Sequence, residues 1–406
     1  MPQEQRMELK TIDQLSLAHK RVLIRVDFNV PLTPGQKASE QKVSDATRVR
    51  EALPTIQHAL AQGATVLLAS HLGRPRGTVT PALSLKPVAT LLQELLGRPV
   101  HLAPDCVGPA VQRQINQLSV GAVVMLENLR FHAEEEANDL AFSRALADLA
   151  DIYVNDAFGS SHRSHASVVG VVQHFEDKGA GFLVRREVEA LSSLLSAPDR
   201  PFVAILGGAK VSDKIGLIHS LLPRADAIII GGAMAYTLLR AQGVKTGGSL
   251  VEPEKIGEAR NVLQQAQQQG VGIHLPQDHI VTAEMRVGAA TVATAGADIP
   301  DTQLGVDIGP HSIAAFRAVV QSARTILWNG PMGIFEMSPY DRGTRSIAEA
   351  VASLSSCFSV AGGGDTVAAL SQAGLTDRIS HISTGGGASL AFLESGDLPG
   401  LAALRS

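Results

Sequence analysis

Cysteine is almost missing from this chain. Of 406 residues only Cys106 and Cys357 are cysteines; they lie far apart and form no CxxC pair, which leaves no disulfide framework and implies a reducing compartment. Long apolar runs are missing too: none reaches the roughly 18 residues of a membrane span. The segment from Met1 to Lys10 has no apolar core of the kind that directs export, so the cytosol is the expected compartment. Neither sign of charge dominates. With 35 Lys and Arg against 39 Asp and Glu the formal net charge is −4, which argues against nucleic acid or an anionic membrane as the main partner. The two common nucleotide fingerprints are absent: no G-x-x-x-x-G-K-[ST] occurs, and no G-x-G-x-x-G follows a strand with an acid about twenty residues on. A Walker ATPase and a Rossmann dehydrogenase are thereby disfavoured. No Ser-His-Asp or Cys-His arrangement, internal repeat or low-complexity tract is evident.

What is present is unevenly placed. Of 38 glycines, 11 precede residue 190 and 27 follow it. The later half builds close-approach turns at Gly207-Gly208-Ala209-Lys210, Gly231-Gly232, Gly362-Gly363-Gly364-Asp365-Thr366 and Thr384-Gly385-Gly386-Gly387. The earlier half carries Arg and His in short clusters: Arg48, His71-Leu72-Gly73-Arg74, Asn128-Leu129-Arg130 and His162-Arg163-Ser164-His165. Glycine turns let backbone N–H groups approach a polyphosphate, whereas Arg forks grip a compact anion bidentately. Two halves for two different anions is the reading this suggests, and the length suits two domains of roughly 200 residues.

Short Val- and Ile-rich runs alternate with longer amphipathic stretches, as in β-α-β units of a mainly parallel sheet. Strands are expected at Val22 to Val26, Thr65 to Ala69, Val123 to Leu126, Ile152 to Val154, Phe202 to Leu206, Ala227 to Ile230, Thr325 to Trp328, Phe358 to Ala361 and Ile379 to Ser383. Nearly every run ends in one of the polar or glycine-rich clusters, and in open α/β sheets ligands bind outside the carboxyl ends of the strands. Arg185 to Ala197 reads as a connecting helix and hinge before Pro198 and Pro201. The expected division is residues 1–184, a hinge at 185–198, 199–390, and a tail at 391–406 that packs back on the first domain.

A lone GG pair is ordinarily a tight connection, but several at strand ends make anion sites of these turns. Gly363-Gly364-Asp365-Thr366 precedes a helical stretch, with Asp365 able to ligate Mg²⁺ and Thr366 to bond a phosphate; Thr384 to Gly387 opens another helix. Lys210 and Lys214 at i, i+4 are expected on one helical face beside Gly207-Gly208. His162 and His165 lack a third ligand and flank Arg163, so zinc is not expected there.

RVDFNVP (25–31), Thr47-Arg48, SHLGRP (70–75), LENLRFH (126–132), NDAFGSSHRSHAS (155–167), LGGAKVSDKI (206–215), WNGPMGIFE (328–336), GGGDT (362–366) and STGGGAS (383–389) together resemble the phosphoglycerate kinase family. The resemblance runs in order along almost the whole chain. It implies two Rossmann-like α/β domains and transfer between ATP and 3-phosphoglycerate, giving ADP and 1,3-bisphosphoglycerate, with Mg²⁺, in glycolysis, gluconeogenesis or carbon fixation, by a monomer. By motif it assigns Asp27, Phe28, Asn29, Arg48, His71, Leu72, Gly73, Arg74, Arg130 and Arg163 to the glycerate, with His162 and His165 in support. It assigns Gly207, Gly208, Lys214, Gly232, Gly305, Asn329, Pro331, Glu336 and Gly363, Gly364, Asp365 and Thr366 to the nucleotide, with Asp365 at the metal. Arg48, Lys210, Gly386 and Gly387 would meet the phosphoryl group in transfer. The family's GGGMA reads Gly231-Gly232-Ala233-Met234-Ala235 here, which crowds the adenine pocket, and its LDIGPK ends in His311, which removes a charge.

Such chemistry explains the missing triad, because a carboxylate or an ADP oxygen is already ionised at neutral pH and needs no base. The work is positioning and charge stabilisation, with water excluded by hinge closure. A phospholigand sensor would share the anion sites without the metal carboxylate or the transfer cations.

Overall fold

Unbroken apolar runs make buried parallel strands. Val22, Leu23, Ile24 and Val26 are all buried, as is every residue of Thr65–Ala69, because helices cover both faces of such a sheet. The computed structural model describes residues 9–35 and 40–406. The chain splits into an N-terminal unit, Met1–Glu189 with Asp397–Ser406, and a C-terminal unit, Ala190–Gly396.

The N-terminal unit holds strands β1 (Arg21–Val26), β2 (Thr65–Ala69), β3 (Val100–Leu102), β4 (Val123–Met125), β5 (Ile152–Asp156) and β6 (Lys178–Ala180), all parallel, in the order β3-β4-β2-β1-β5-β6. One apolar core packs under this sheet and includes Val49, Ala52, Ile56 and Ala59 of the helix Thr47–Ala61. The short helix Pro399–Arg405 returns to this unit, where the Gly400 N–H donates to the Ser161 carbonyl at 2.9 Å and Leu401 and Leu404 are buried.

The C-terminal unit has β7 (Phe202–Leu206), β8 (Ala227–Ile230), β9 (Gly272–His274), β13 (Thr325–Asn329), β14 (Phe358–Gly362) and β15 (His381–Ile382) in a second parallel sheet of order β15-β14-β13-β7-β8-β9. A separate antiparallel ribbon of β10 (His279–Thr282), β11 (Val292–Ala293) and β12 (Leu304–Ile308) completes it. All nine expected strands are present, with ends moved by a residue or two. No helix among the described residues is long and apolar enough to cross a membrane.

The expected connecting helix is Phe182–Ser196, three residues earlier at its start than the leucine spacing suggests. Its beginning is fixed from β5. Asp156 Oδ1 accepts the N–H groups of Leu183 at 2.9 Å and Val184 at 3.3 Å, and Thr55 Oγ1 accepts that of Phe182 at 2.9 Å. These satisfy donors that a helix start leaves over. Burial pushes the Asp156 carboxyl up to about 6, against hydrogen bonds from Thr55, Val184 and Leu183. Asp156→Ala strands those N–H groups and should lower stability by about 1–3 kcal/mol. Because the folded value is raised, stability from this group is lost as pH climbs from about 4 to about 6. The gap between the two proteins in urea unfolding should therefore narrow over that window and stay flat above it; a gap that widens would contradict the assignment.

Candidate functional site

Strand order in the N-terminal sheet reverses between β1 and β5, which places the open crevice of an α/β sheet beside the loop after β1. Asp27 follows β1 directly. Arg48, in the first turn of its helix, donates from one terminal nitrogen to Asp27 Oδ1 at 3.0 Å and to the Asn29 carbonyl at 3.2 Å. Asn29 Oδ1 accepts the Gly73 N–H at 2.9 Å, and the Gly73 carbonyl accepts Arg130 at 2.9 Å. Loops after β1, β2 and β4 are thus tied into one polar cluster, and the loop after β5 joins it through Ser160 Oγ, 3.4 Å from Asp27 Oδ2; Arg163 follows in that loop, its Nε 3.3 Å from His162 Nε2. Arg74 is exposed beside Gly73.

Phe28 and Leu72 belong to the frame of this cluster. Their side chains are buried; the Phe28 N–H donates to Ser70 Oγ at 2.9 Å, and Asn128 binds both main-chain groups of Leu72. Sequence reasoning missed two buried members. Arg25 lies within the apolar run of β1, yet its guanidinium reaches His71 Nδ1 at 3.2 Å and Ser167 Oγ at 2.8 Å. Glu135 accepts Ser167 Oγ at 2.6 Å and its N–H at 2.9 Å, with His165 at 3.8 Å. Asn128, part of the expected Asn128-Leu129-Arg130 cluster, is buried as well.

The charges decide what the cluster can bind. Burial pushes His71 well below the usual histidine value; Asp27 opposes, and Arg25, Arg130 and Arg163 add to the shift. His165 falls to about 4 through burial and the same three arginines. Both rings are therefore neutral at pH 7, and since Arg25 occupies His71 Nδ1, the His71 hydrogen sits on Nε2. Burial disfavours the charge on Asp27, but His71, Arg48 and Arg25 outweigh it and hold the carboxyl below its ordinary range. Permanent positive charge comes from arginine alone, with the half-buried Asp27 carboxylate to orient Arg48.

In the C-terminal sheet the order reverses between β7 and β13. Here the Gly207 N–H donates to the Asn329 carbonyl at 3.0 Å, so close that a Cβ on Gly207 would run into the Pro331 carbonyl oxygen. Lys214 Nζ donates to Asn329 Oδ1, Asn329 Nδ2 donates to the Gly362 carbonyl at 3.0 Å, and the Gly330 N–H donates to Thr366 Oγ1 at 2.7 Å. Burial lowers the Lys214 ammonium, and Asp213, Asp365 and Glu394 oppose that. Gly363 caps the helix Gly364–Gln372 with φ +90°, and exposed Asp365 stands in its first turn. Gly386 caps Gly387–Ser395 in the same manner with φ +54°. Each N-terminus carries the positive end of a helix dipole.

Beside this network lies a cavity of about 520 Å³, within the range of small-molecule sites. Gly208, Gly232, Gly305, Pro331, Glu336 and Asp365 line it, as does Ala233. Lys210 and Lys214 are not a helical pair. From Gly208 to Lys214 the chain runs as turns, with φ +119° at Gly208, and the helix starts only at Ile215. Glu252 accepts Ser212 Oγ at 2.6 Å and its N–H at 3.1 Å, which anchors the middle of the turn and leaves Lys210 exposed. Among the described residues the one grouping of three metal-type donors is Asp105, Cys106 and His132, remote in sequence from Asp365. His132 Nε2 pairs with Asp105 Oδ1 at 2.7 Å, and burial with Asp105 pushes the Cys106 thiol up, so this grouping is closed on itself.

The model of the phosphoglycerate kinase family matches residues 12–396. The chain belongs to the phosphoglycerate kinase family. A phosphoglycerate kinase of Anaeromyxobacter dehalogenans is 53% identical over 399 residues, covering 98% of this chain and 99% of the relative. One from Moorella thermoacetica is 52% identical over 394 residues, covering 97% and 98%. Among solved structures, phosphoglycerate kinase from Coxiella burnetii superposes with a TM-score of 0.88 at 39% identity, covering 98% of this chain and 99% of that one. The Pyrococcus horikoshii enzyme gives 0.82 at 31%, covering 97% and 98%. The reaction of this phosphoglycerate kinase chain is reversible phosphoryl transfer between ATP and 3-phosphoglycerate, giving ADP and 1,3-bisphosphoglycerate.

Proposed function

We propose that the N-terminal unit holds the glycerate and the C-terminal unit the magnesium nucleotide. The single observation that carries this is the division of chemistry: arginines around Asp27 on one sheet, and glycine-lined helix N-termini beside an apolar cavity on the other. Arg48, Arg74, Arg130 and Arg163 grip the phosphate and carboxylate; Asp27, Asn29 and His71 Nε2–H take the remaining polar groups, and Gly73 with the buried Phe28 and Leu72 shapes the floor. His162 and His165 support Arg163 as neutral rings.

On the second unit the base enters the cavity between Gly232, Gly305 and Pro331, with Glu336 at the ribose. Gly207, Gly208, Lys214, Asn329, Gly363, Gly364 and Thr366 face the phosphates. A lone exposed carboxylate at a helix start, with nucleotide phosphates supplying further oxygens, fits the preference of Mg²⁺ for one or two carboxylates plus phosphate. Asp365 would hold it, and bound there it neutralises charge on the phosphate chain. The nucleophile needs no base, so catalysis reduces to alignment and charge stabilisation of the phosphoryl group by Arg48, Lys210 and the Gly386 and Gly387 N–H groups. Transfer requires both ligands to be brought together with water excluded, which is the proposed purpose of a hinge near Phe182–Ser196. We place the enzyme in the cytoplasm.

The test is calorimetric titration of 3-phosphoglycerate and of ADP with Mg²⁺ into the intact protein and into Asp365→Asn. The variant should bind the magnesium nucleotide about tenfold or more weakly while its affinity for 3-phosphoglycerate stays within about twofold. Equal loss for both ligands would overturn the two-site assignment.

A further inference from the structure

The reaction leaves several buried carboxylates without a role. Asp307, near the end of β12, is 1% exposed. Its Oδ2 accepts the Gly343 N–H at 2.7 Å and its Oδ1 the Ile308 N–H at 2.9 Å. At the other end of the same segment the chain passes Asp307 at Gly333, where a Cβ would run into Oδ1 and would lie 2.8 Å from the Tyr340 carbonyl oxygen. Two further bonds hold the near stem: Ile334 N–H to the Val306 carbonyl at 3.0 Å and Met332 N–H to Thr344 Oγ1 at 3.0 Å. Residues 330–343 therefore leave β13, double back and re-enter a helix with one stem hydrogen-bonded to the Asp307 carboxylate at Gly343 and the other packed against it at Gly333. Their inner face, Pro331 through Ile334 with Glu336, is a wall of the 520 Å³ cavity.

We propose that Asp307 is a positioning residue for the nucleotide, holding residues 330–343 closed against the cavity through the hydrogen bond it accepts from the Gly343 N–H and its close packing against Gly333, while the N–H of Ile308, next to it in the strand, fixes its other oxygen. The inference rests on reading that cavity as the nucleotide site. Only a carboxylate presents two acceptors here. An amide must turn its NH₂ toward one of the two N–H groups, and a protonated acid puts a hydrogen on one oxygen. Burial pushes the Asp307 carboxyl up to about 7; the Gly343 and Ile308 N–H groups and Arg342 pull it down, and Asp341 adds to the rise. From the helix Met234–Ala241, the buried Tyr236 phenol faces the same carboxylate and stays neutral. The gathered, ionised form thus gives way to the protonated one near neutral pH. Ligand that favours the gathered wall should then bind with release of a proton, and affinity should rise between pH 6 and 8.

Adenosine is the probe, because it has no group that titrates in this range. Calorimetry on the full chain, in two buffers of different ionisation enthalpy, should show fractional proton release near pH 7 and affinity about threefold or more higher at pH 8 than at pH 6. Asp307→Asn should bind about tenfold more weakly, without that pH dependence, while Trp328 fluorescence reports an intact C-terminal core. Unchanged affinity and pH profile in Asp307→Asn would overturn the proposal. If that variant fails to fold, proton release by the unaltered protein decides: none means Asp307 does not sense the ligand. Ala233→Leu fills the cavity away from Asp307. Binding that survives it would bring down the cavity reading and this inference with it, whereas binding lost there but kept in Asp307→Asn overturns the role of Asp307 alone.

Discussion

Arg48→Ala should lower kcat by on the order of 10² or more, with a much smaller change in KM for 3-phosphoglycerate. The geometry gives the reason. Two contacts from one nitrogen, to Asp27 Oδ1 and the Asn29 carbonyl, fix the guanidinium at the rim of the cluster, where its side chain remains 37% exposed. A donor held in place before the substrate arrives needs no reorganisation when charge develops, and removal of such a group typically costs 10²–10³ in rate, about 3–4 kcal/mol. Ground-state grip is shared with Arg74, Arg130 and Arg163, so binding should survive. Steady-state kinetics in both directions with full titration of 3-phosphoglycerate would show this. A raised KM with kcat intact would make Arg48 a binding residue only. Asp27 also loses a partner, so Arg48→Lys, which keeps the charge beside Asp27 without the fork, should recover little of the rate.

Gly207→Ala should unfold the C-terminal unit at markedly lower denaturant, by about 3 kcal/mol or more. The atoms a methyl group would meet are backbone, the Pro331 carbonyl oxygen and the Gly330 carbonyl carbon at 2.8 Å, and neither can swing aside as a side chain would. The strain falls where β7 and β13 leave the sheet, so the peptide groups of the proposed phosphate site would move with it. Gly364 is the contrast: a Cβ there has nothing within 4 Å, and Gly364→Ala should shift stability by no more than about 0.5 kcal/mol. Trp328 is the single tryptophan of the chain; its ring N–H donates to the Gly330 carbonyl at 2.9 Å, so its fluorescence reports unfolding at this joint. Equal midpoints for Gly207→Ala and the unaltered protein would refute the close-approach argument.

Central strands announce themselves because both faces are buried and most residues are apolar. The strands the sequence did not reveal lie outside the centres of the two parallel sheets. Val100–Leu102, Lys178–Ala180 and Gly272–His274 are three-residue edge strands that carry His, Lys or Gly, and His279–Thr282, Val292–Ala293 and Leu304–Ile308 form the separate antiparallel ribbon. In the candidate site, residues joined in a motif were legible; residues reached through space were not. A run of three glutamates gives no hint that the middle one, Glu135, is sealed beneath Ser167, and Arg25 hides among valines. The lysine pair shows the reverse failure: i, i+4 spacing implies a helix face only where a helix exists, and Gly208 with the Ser212 anchor builds a turn instead.

The return of residues 397–406 to the N-terminal sheet bears on how the protein is made. Emerging from a ribosome at about 5–20 residues per second, the whole of Ala190–Gly396 becomes available before the segment that closes the first unit. For roughly 10 to 40 seconds the groove that receives Leu401 and Leu404 stays uncovered, with the Ser161 carbonyl facing water. The second unit can therefore finish folding first, and the earlier-made half stays exposed to chaperones and proteases until the last helix docks.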